Sequence, residues 1–190
     1  MIKIGYQGDV GSNSEAAAEN FINKLKLDKN CYELLPLISS ANVLKHLEDG
    51  KIDYGVMAVK NSTAGIVRET ADALRDKKLT VVSSVTLPVH HCIFIKQHVT
   101  HEEITVIASH PQALKQTAKN RKTMFEKWQE EEVEDTAIAA RKLKENVYPD
   151  NYAVICRENA GKNNGLKMIA KNIEDNTKNE TTFNLYKKSL

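Results

Sequence analysis

Ile104-Thr105-Val106-Ile107-Ala108-Ser109-His110-Pro111-Gln112-Ala113-Leu114 reads as a strand that turns straight into a helix. The first five residues form a short apolar run of strand character. Pro111 then sits in the first helical turn, where a fixed φ and a missing N–H are tolerated. The same strand-to-helix step recurs on both sides of this segment. Strand-like runs are predicted at Ile2–Tyr6, Tyr54–Val59, Val81–Val85, Cys92–Ile95, Ile104–Ala108 and Ala153–Cys156. Helical patterns are predicted at Ser14–Leu25, Ala41–Glu48, Ile66–Leu74, Pro111–Thr117 and Thr136–Lys144. Such alternation predicts an α/β protein with largely parallel sheets. The acidic run Glu130-Glu131-Glu132-Val133-Glu134-Asp135 reads as a solvated edge.

Composition narrows the function classes. A chain of 190 residues with 41% hydrophobic and 27% charged side chains has the make-up of an ordinary globular protein. Its 27 basic and 25 acidic groups nearly cancel, so bulk charge gives no reason to expect a nucleic-acid partner. No apolar run approaches the roughly 20 residues a membrane-spanning helix needs. Met1-Ile2-Lys3-Ile4-Gly5 begins directly as a strand without a signal-peptide core, and the three cysteines are widely spaced. A cytoplasmic protein with reduced thiols is expected.

Parallel α/β sheets gather ligands beyond the C-terminal ends of their strands. Three polar segments fall at such places. Ser12-Asn13-Ser14-Glu15 reads as a capping box opening the first helix after the Gly8–Gly11 turn. Asn61-Ser62-Thr63 follows the Tyr54–Val59 strand, and Ser109-His110 follows Ile104–Ala108. Helix N-termini there offer free N–H groups and partial positive charge, which suits a carboxylate. The Gly8–Gly11 loop lacks the Gly-Lys-Ser/Thr ending of a P-loop. His90 and Cys92 could face one ion from a strand, but two ligands do not make a zinc site. No metal is expected.

These segments, with Asn172-Ile173-Glu174-Asp175 and Asn179-Glu180-Thr181-Thr182-Phe183, resemble in order the motifs of the prephenate dehydratase catalytic domain. Ser109-His110-Pro111-Gln112-Ala113-Leu114 matches the family's Ser-His-Pro-Gln-Ala-Leu without change. Lys60-Asn61-Ser62-Thr63-Ala64-Gly65-Ile66-Val67 is similar to Glu-Asn-Ser-x-x-Gly-x-Val, and Leu87-Pro88-Val89-His90-His91 to Leu-Pro-Ile-x-His. Gly8-Asp9-Val10-Gly11-Ser12-Asn13-Ser14-Glu15 is a looser match to Gly-Pro-x-Gly-Thr-Phe-Ser-Glu. The final run resembles Ile-Glu-Asp…Asn-x-Thr-Arg-Phe, with Thr181 at the threonine and Thr182 where the family has arginine.

The resemblance implies a two-lobed fold of type II periplasmic-binding-protein kind, with a ligand cleft between two small, mostly parallel sheets. Residues 1–85 and 172–190 would form one lobe and residues 86–171 the other. It implies Thr181 as the catalytic hydroxyl, and Ser12, Ser14, Lys60, Asn61, Ser62, Thr63, Ser109 and Thr182 as substrate contacts. The substrate would be prephenate or a close cyclohexadienyl dicarboxylate, turned into phenylpyruvate with no cofactor and no metal. Neither nucleic acid nor membrane is an expected partner, and a homodimer is left open. Lys60 replaces a glutamate and Thr182 an arginine, so Lys60 is expected to supply the positive charge lost at Thr182. Two alternatives stand beside dehydration: decarboxylation to a non-aromatic product, and ligand binding without catalysis. The family's phenylalanine-binding ACT domain has no counterpart before Leu190, so inhibition through such a domain is not expected within this sequence.

Overall fold

The computed structural model describes residues 1–189. In chain order the strands and helices are β1 (Ile2–Tyr6), α1 (Asn13–Leu25), β2 (Tyr32–Pro36), α2 (Ser40–Glu48), β3 (Tyr54–Asn61), β4 (Gly65–Ile66), α3 (Arg68–Leu74), β5 (Leu79–Pro88) and β6 (Cys92–Ile95). They continue as β7 (Val106–Ser109), α4 (Pro111–Gln116), α5 (Ala118–Met124), β8 (Gln129–Glu132), α6 (Thr136–Lys144), β9 (Tyr152–Cys156), α7 (Glu158–Asn163), β10 (Lys167–Ala170) and β11 (Glu180–Lys188). The chain forms two compact units. One contains Met1–Asp9, Asn13–Val89 and Asn179–Leu190; the other contains Val10–Ser12 and His90–Lys178.

The first unit holds a sheet in the order β2-β1-β3-β11-β5, with β4 hydrogen-bonded to β3. β1 runs parallel to β2 and β3, whereas β11 is antiparallel to both β3 and β5. The second unit's sheet has the order β10-β6-β9-β7-β8, parallel through β9-β7-β8 and antiparallel through β10-β6-β9. Both sheets are therefore mixed where strand–helix alternation predicts mostly parallel ones. In the first, β11 arrives last and returns beside β3 in the opposite direction; in the second, β6 runs against both β9 and β10.

Each sheet buries both faces. In the first unit Ile4, Tyr6, Val56, Val85, Phe183 and Leu185 pack against Ala17, Ala18, Phe21 and Ile22 of α1. On the reverse face Met57 and Tyr186 pack against Val43 and Leu47 of α2. In the second unit Cys92, Phe94, Ala108, Val154 and Cys156 meet the Ala137–Leu143 face of α6. Ile93, Ile95, Ile107, Ala153 and Ile155 meet Ala113, Leu114 and Phe125. Alternating residues of β6, β7 and β9 thus face different helices, which explains why these strands read as continuous apolar runs. Each fully buried Val, Leu, Ile, Phe or Met among them stabilises the fold by about 1.5–3 kcal/mol.

Gly11 has φ +88°, and a Cβ placed there would lie 2.5 Å from the Ala160 Cα. Only glycine fits, because the left-handed backbone and the close approach to α7 exclude a side chain.

Candidate active site

The N-terminal end of β11 lies between two strands. Thr181 is opposite Asn61 of β3 and Leu87 of β5, and Thr182 is opposite Lys60 and Thr86. Strand alternation puts Thr181 on the same face as Phe183 and Leu185, the face covered by α1. Asn61, Asn179 and Thr181 are all buried there.

The Asn61 amide organises this corner. Its Oδ1 accepts the backbone N–H groups of Thr63 at 3.0 Å and Ala64 at 2.9 Å. Its Nδ2 donates to Asn179 Oδ1 at 2.8 Å, Glu180 O at 3.0 Å and Thr181 Oγ1 at 2.9 Å. The two backbone donors fix which end of the amide is oxygen, since the flipped amide would set its NH2 against two N–H groups and its oxygen against the Glu180 carbonyl. Thr181 Oγ1 is therefore an acceptor toward Asn61. The Thr181 proton has no acceptor among the described residues, so the hydroxyl is poised to donate to a ligand.

Ser62 and Thr63 close the same corner from the exposed side. Ser62 N–H donates to Glu180 O at 2.8 Å, and Ser62 Oγ accepts from Glu180 N–H at 2.9 Å. Thr63 Oγ1 lies 3.4 Å from Asn179 Oδ1. Asn61, Ser62, Thr63 and Thr181 are thus brought together in one unit. Asn179 belongs with them, although the sequence reading passed over it. Its signal was its place two residues before Thr181, with an amide of fitting chemistry.

Lys60 and Thr182 are cross-strand neighbours on the opposite face of the sheet. Thr182 Oγ1 lies 2.9 Å from Thr86 Oγ1, and Lys60 is exposed. The two positions that depart from the family's charges therefore adjoin each other, but the sheet separates both from Thr181. Ser14, also in this unit, is buried in the first turn of α1. Glu15 beside it accepts a hydrogen bond from the Tyr6 hydroxyl at 3.0 Å. Burial, followed by the neighbouring Glu15 carboxylate, raises the Tyr6 pKa well above its ordinary value.

In the second unit Ser12 is buried within the short Val10–Ser12 segment. Ser109 has no exposed surface, and its hydroxyl donates to Ile155 O at 2.7 Å, fastening β7 to β9. His110 caps α4: its Nδ1 accepts the Gln112 N–H at 3.1 Å. A buried carboxylate, Glu174, binds His90 Nδ1 at 2.8 Å through Oε1 and accepts the His91 N–H at 3.0 Å through Oε2. Burial alone would push the Glu174 pKa up, but the bonds from His91 N–H and His90 hold it below the ordinary value. His91 is driven down by burial, only partly offset by its 3.0 Å bond to Gln116 and by Glu174. Among the described residues no group of three or more His, Cys, Asp or Glu could hold a metal ion. No described helix is long and apolar enough to cross a membrane.

The prephenate dehydratase domain profile matches residues 4–189. The chain belongs to the prephenate dehydratase family. Arogenate dehydratase/prephenate dehydratase 2 of Arabidopsis thaliana, a chloroplastic protein, is 34% identical over 183 residues, covering 96% of this chain and 45% of the relative. The chain spans about half the length of the curated relatives it matches. Among solved structures, prephenate dehydratase from Arthrobacter aurescens, determined with L-Phe, superposes with a TM-score of 0.87 at 22% identity. That match covers 100% of this chain and 61% of the other. A periplasmic substrate-binding protein of an ABC transporter from Coxiella burnetii gives a TM-score of 0.56 at 12% identity, covering 100% and 85%. The fold is therefore the periplasmic-binding-protein type expected from the motifs. Prephenate dehydratase homology also places the chain in a family of water-eliminating enzymes.

Proposed function

We propose that this chain dehydrates and decarboxylates prephenate, or a close cyclohexadienyl acid such as arogenate, with Thr181 as the catalytic hydroxyl. The observation that carries this reading is the buried contact in which Asn61 Nδ2 donates to Thr181 Oγ1 at 2.9 Å, which leaves the Thr181 proton to be given to a ligand. In the reaction the bond between the ring and its carboxylate breaks, releasing carbon dioxide. That electron pair completes the aromatic ring as the C–O bond opposite breaks, and the ring oxygen leaves with its own pair. Aromatisation supplies the driving force. The protein's task is to orient the substrate and stabilise the oxygen as negative charge develops on it, which an aimed O–H does in place. The oxygen leaves as hydroxide, which takes up a proton to become water.

Lys60 is not assigned to substrate binding in this mechanism, because it shares a face with Thr182 and not with Thr181. The altered charges at these positions therefore do not argue against turnover at Thr181. Incubating the protein separately with prephenate and arogenate tests the proposal. Phenylpyruvate from the first, or phenylalanine from the second, with one carbon dioxide per turnover, supports it. A non-aromatic dihydro product would establish decarboxylation alone, and no product from either would leave binding without catalysis.

A further inference from the structure

We infer that Asn179 is a positioning residue that acts on the leaving oxygen through Asn61 and Thr181; the inference rests on the role proposed for Thr181. Asn179 comes from the segment entering β11, whereas Asn61 ends β3, so their contact joins distant parts of the chain. Two facts make this contact decisive. Asn61 Nδ2 has two protons and three acceptors, at 2.8, 3.0 and 2.9 Å. The shortest of these bonds is the one to Asn179 Oδ1, a buried oxygen that also lies within reach of Thr63 Oγ1.

The geometry makes Asn179 a director of the amide. Its oxygen and Glu180 O hold the Nδ2 end, while the Thr63 and Ala64 N–H groups hold the Oδ1 end. With both ends held, the amide plane cannot rotate, and Nδ2–H stays aimed at Thr181 Oγ1. Without the Asn179 oxygen one Nδ2 proton loses its best acceptor. Glu180 O and Thr181 Oγ1 would then hold the Nδ2 end without its closest anchor, and the amide could rock, so that its N–H is less well aimed at Thr181 Oγ1. A hydroxyl free to rotate donates to the leaving oxygen only part of the time. The substrate would still bind, because nothing in this relay needs to contact it outside the transition state. The expected signature is a fall in kcat at nearly constant KM.

The test uses two near-isosteric changes, Asn179→Leu and Asn179→Asp. Leucine removes the acceptor, and aspartate keeps an oxygen facing Asn61. Asn179→Leu should lower kcat roughly tenfold to a hundredfold, the scale of a small misplacement of a catalytic group. KM should stay within about twofold, and Asn179→Asp should recover most of the loss. In a Thr181→Val background Asn179→Leu should have no further effect on kcat, since a residue acting through another loses its effect with it. Equal, additive losses in both backgrounds would overturn the inference.

A second readout does not depend on turnover. In ¹H–¹⁵N spectra the Asn61 side-chain amide pair should exchange slowly with solvent in the parent protein. It should exchange at least about tenfold faster in Asn179→Leu, and return toward the parent in Asn179→Asp. If the amide pair does not respond to Asn179→Leu, Asn179 does not position Asn61, whatever the enzyme turns over. If it responds while prephenate and arogenate are both untouched, the relay stands and the proposed reaction falls.

Discussion

Replacing Thr181 with valine separates catalysis from stability, because the structure sets very different magnitudes for the two. The substitution exchanges a hydroxyl for a methyl of similar volume at a position that is 9% exposed. On the stability side one hydrogen bond is lost, that from Asn61 Nδ2 at 2.9 Å. Asn61 is not orphaned by this, since Asn179 Oδ1 and Glu180 O remain as acceptors at 2.8 and 3.0 Å. The expected cost is the net value of one bond, about 0.5–1.5 kcal/mol. For a chain of this length that shifts Tm by about 1–6 °C. On the catalytic side an aimed donor is missing when charge develops, which should lower kcat about 10²-fold, or about 2.7 kcal/mol. KM should hardly move. Thr181→Ser keeps the hydroxyl and should retain most of the turnover. The assay follows phenylpyruvate absorbance under saturating prephenate, alongside a thermal melt of each variant. A Thr181→Val protein within about threefold of the parent kcat would remove Thr181 from the mechanism, and with it the purpose of the Asn61 contact.

Lys60→Ala should leave kcat and KM within about twofold of the parent, as befits an exposed lysine across the sheet from Thr181; a tenfold rise in KM would return Lys60 to the substrate. Gly11→Ala should destabilise by roughly 2–5 kcal/mol, combining a left-handed backbone with overpacking against Ala160. A lowered urea midpoint at unchanged m would show it, and an unshifted midpoint would refute the argument. Stability should decline as pH falls below the ordinary histidine value of 6.5, because buried His91 has a depressed folded pKa and the unfolded chain takes up the proton first. A further decline should begin below 4.5, where unfolded Glu174 protonates before the folded form, whose pKa is lowered. Melts of parent and His91→Gln across this range check the sign: the variant should lose the first decline and keep the second.

Most strands that could be read from sequence are buried ones, with the exposed edge strand β5 legible from its valines. Cys92–Ile95 coincides with β6, and Thr136–Lys144 coincides with α6, because each carries an apolar pattern dense enough to fix its ends. Among the strands not legible in this way, β8 carries charge and β11, though central, mixes polar and apolar residues. β8 is Gln129-Glu130-Glu131-Glu132, which reads as a solvated run; its strand state comes from parallel pairing to β7, information held elsewhere in the chain. Charge on such an edge is also what discourages pairing with another molecule. Gly65 and Ile66, the latter read as the first residue of a helix, instead turn back on β3 as β4, so α3 begins only at Arg68.

The candidate site was legible as a set of motifs and illegible as a geometry. Asn61, Ser62, Thr63 and Thr181 could be named from their segments, and all gather at one corner of the first sheet. Which way each side chain points depends on register, and register is set by pairings between remote strands. A single step along β11 divides Thr181 from Thr182, and a single step along β3 divides Asn61 from Lys60. Residues adjacent in a motif consequently serve opposite faces. The same pairing places Lys60 opposite Thr182, so the two departures from the family's Glu-Asn-Ser and Thr-Arg-Phe patterns fall on one cross-strand pair. A glutamate facing an arginine there would attract, and a glutamate left facing Thr182 would lose that partner. Lysine opposite threonine leaves no unmatched carboxylate on the strand. Both departures thus lie on one cross-strand pair, on the face of the sheet away from Thr181.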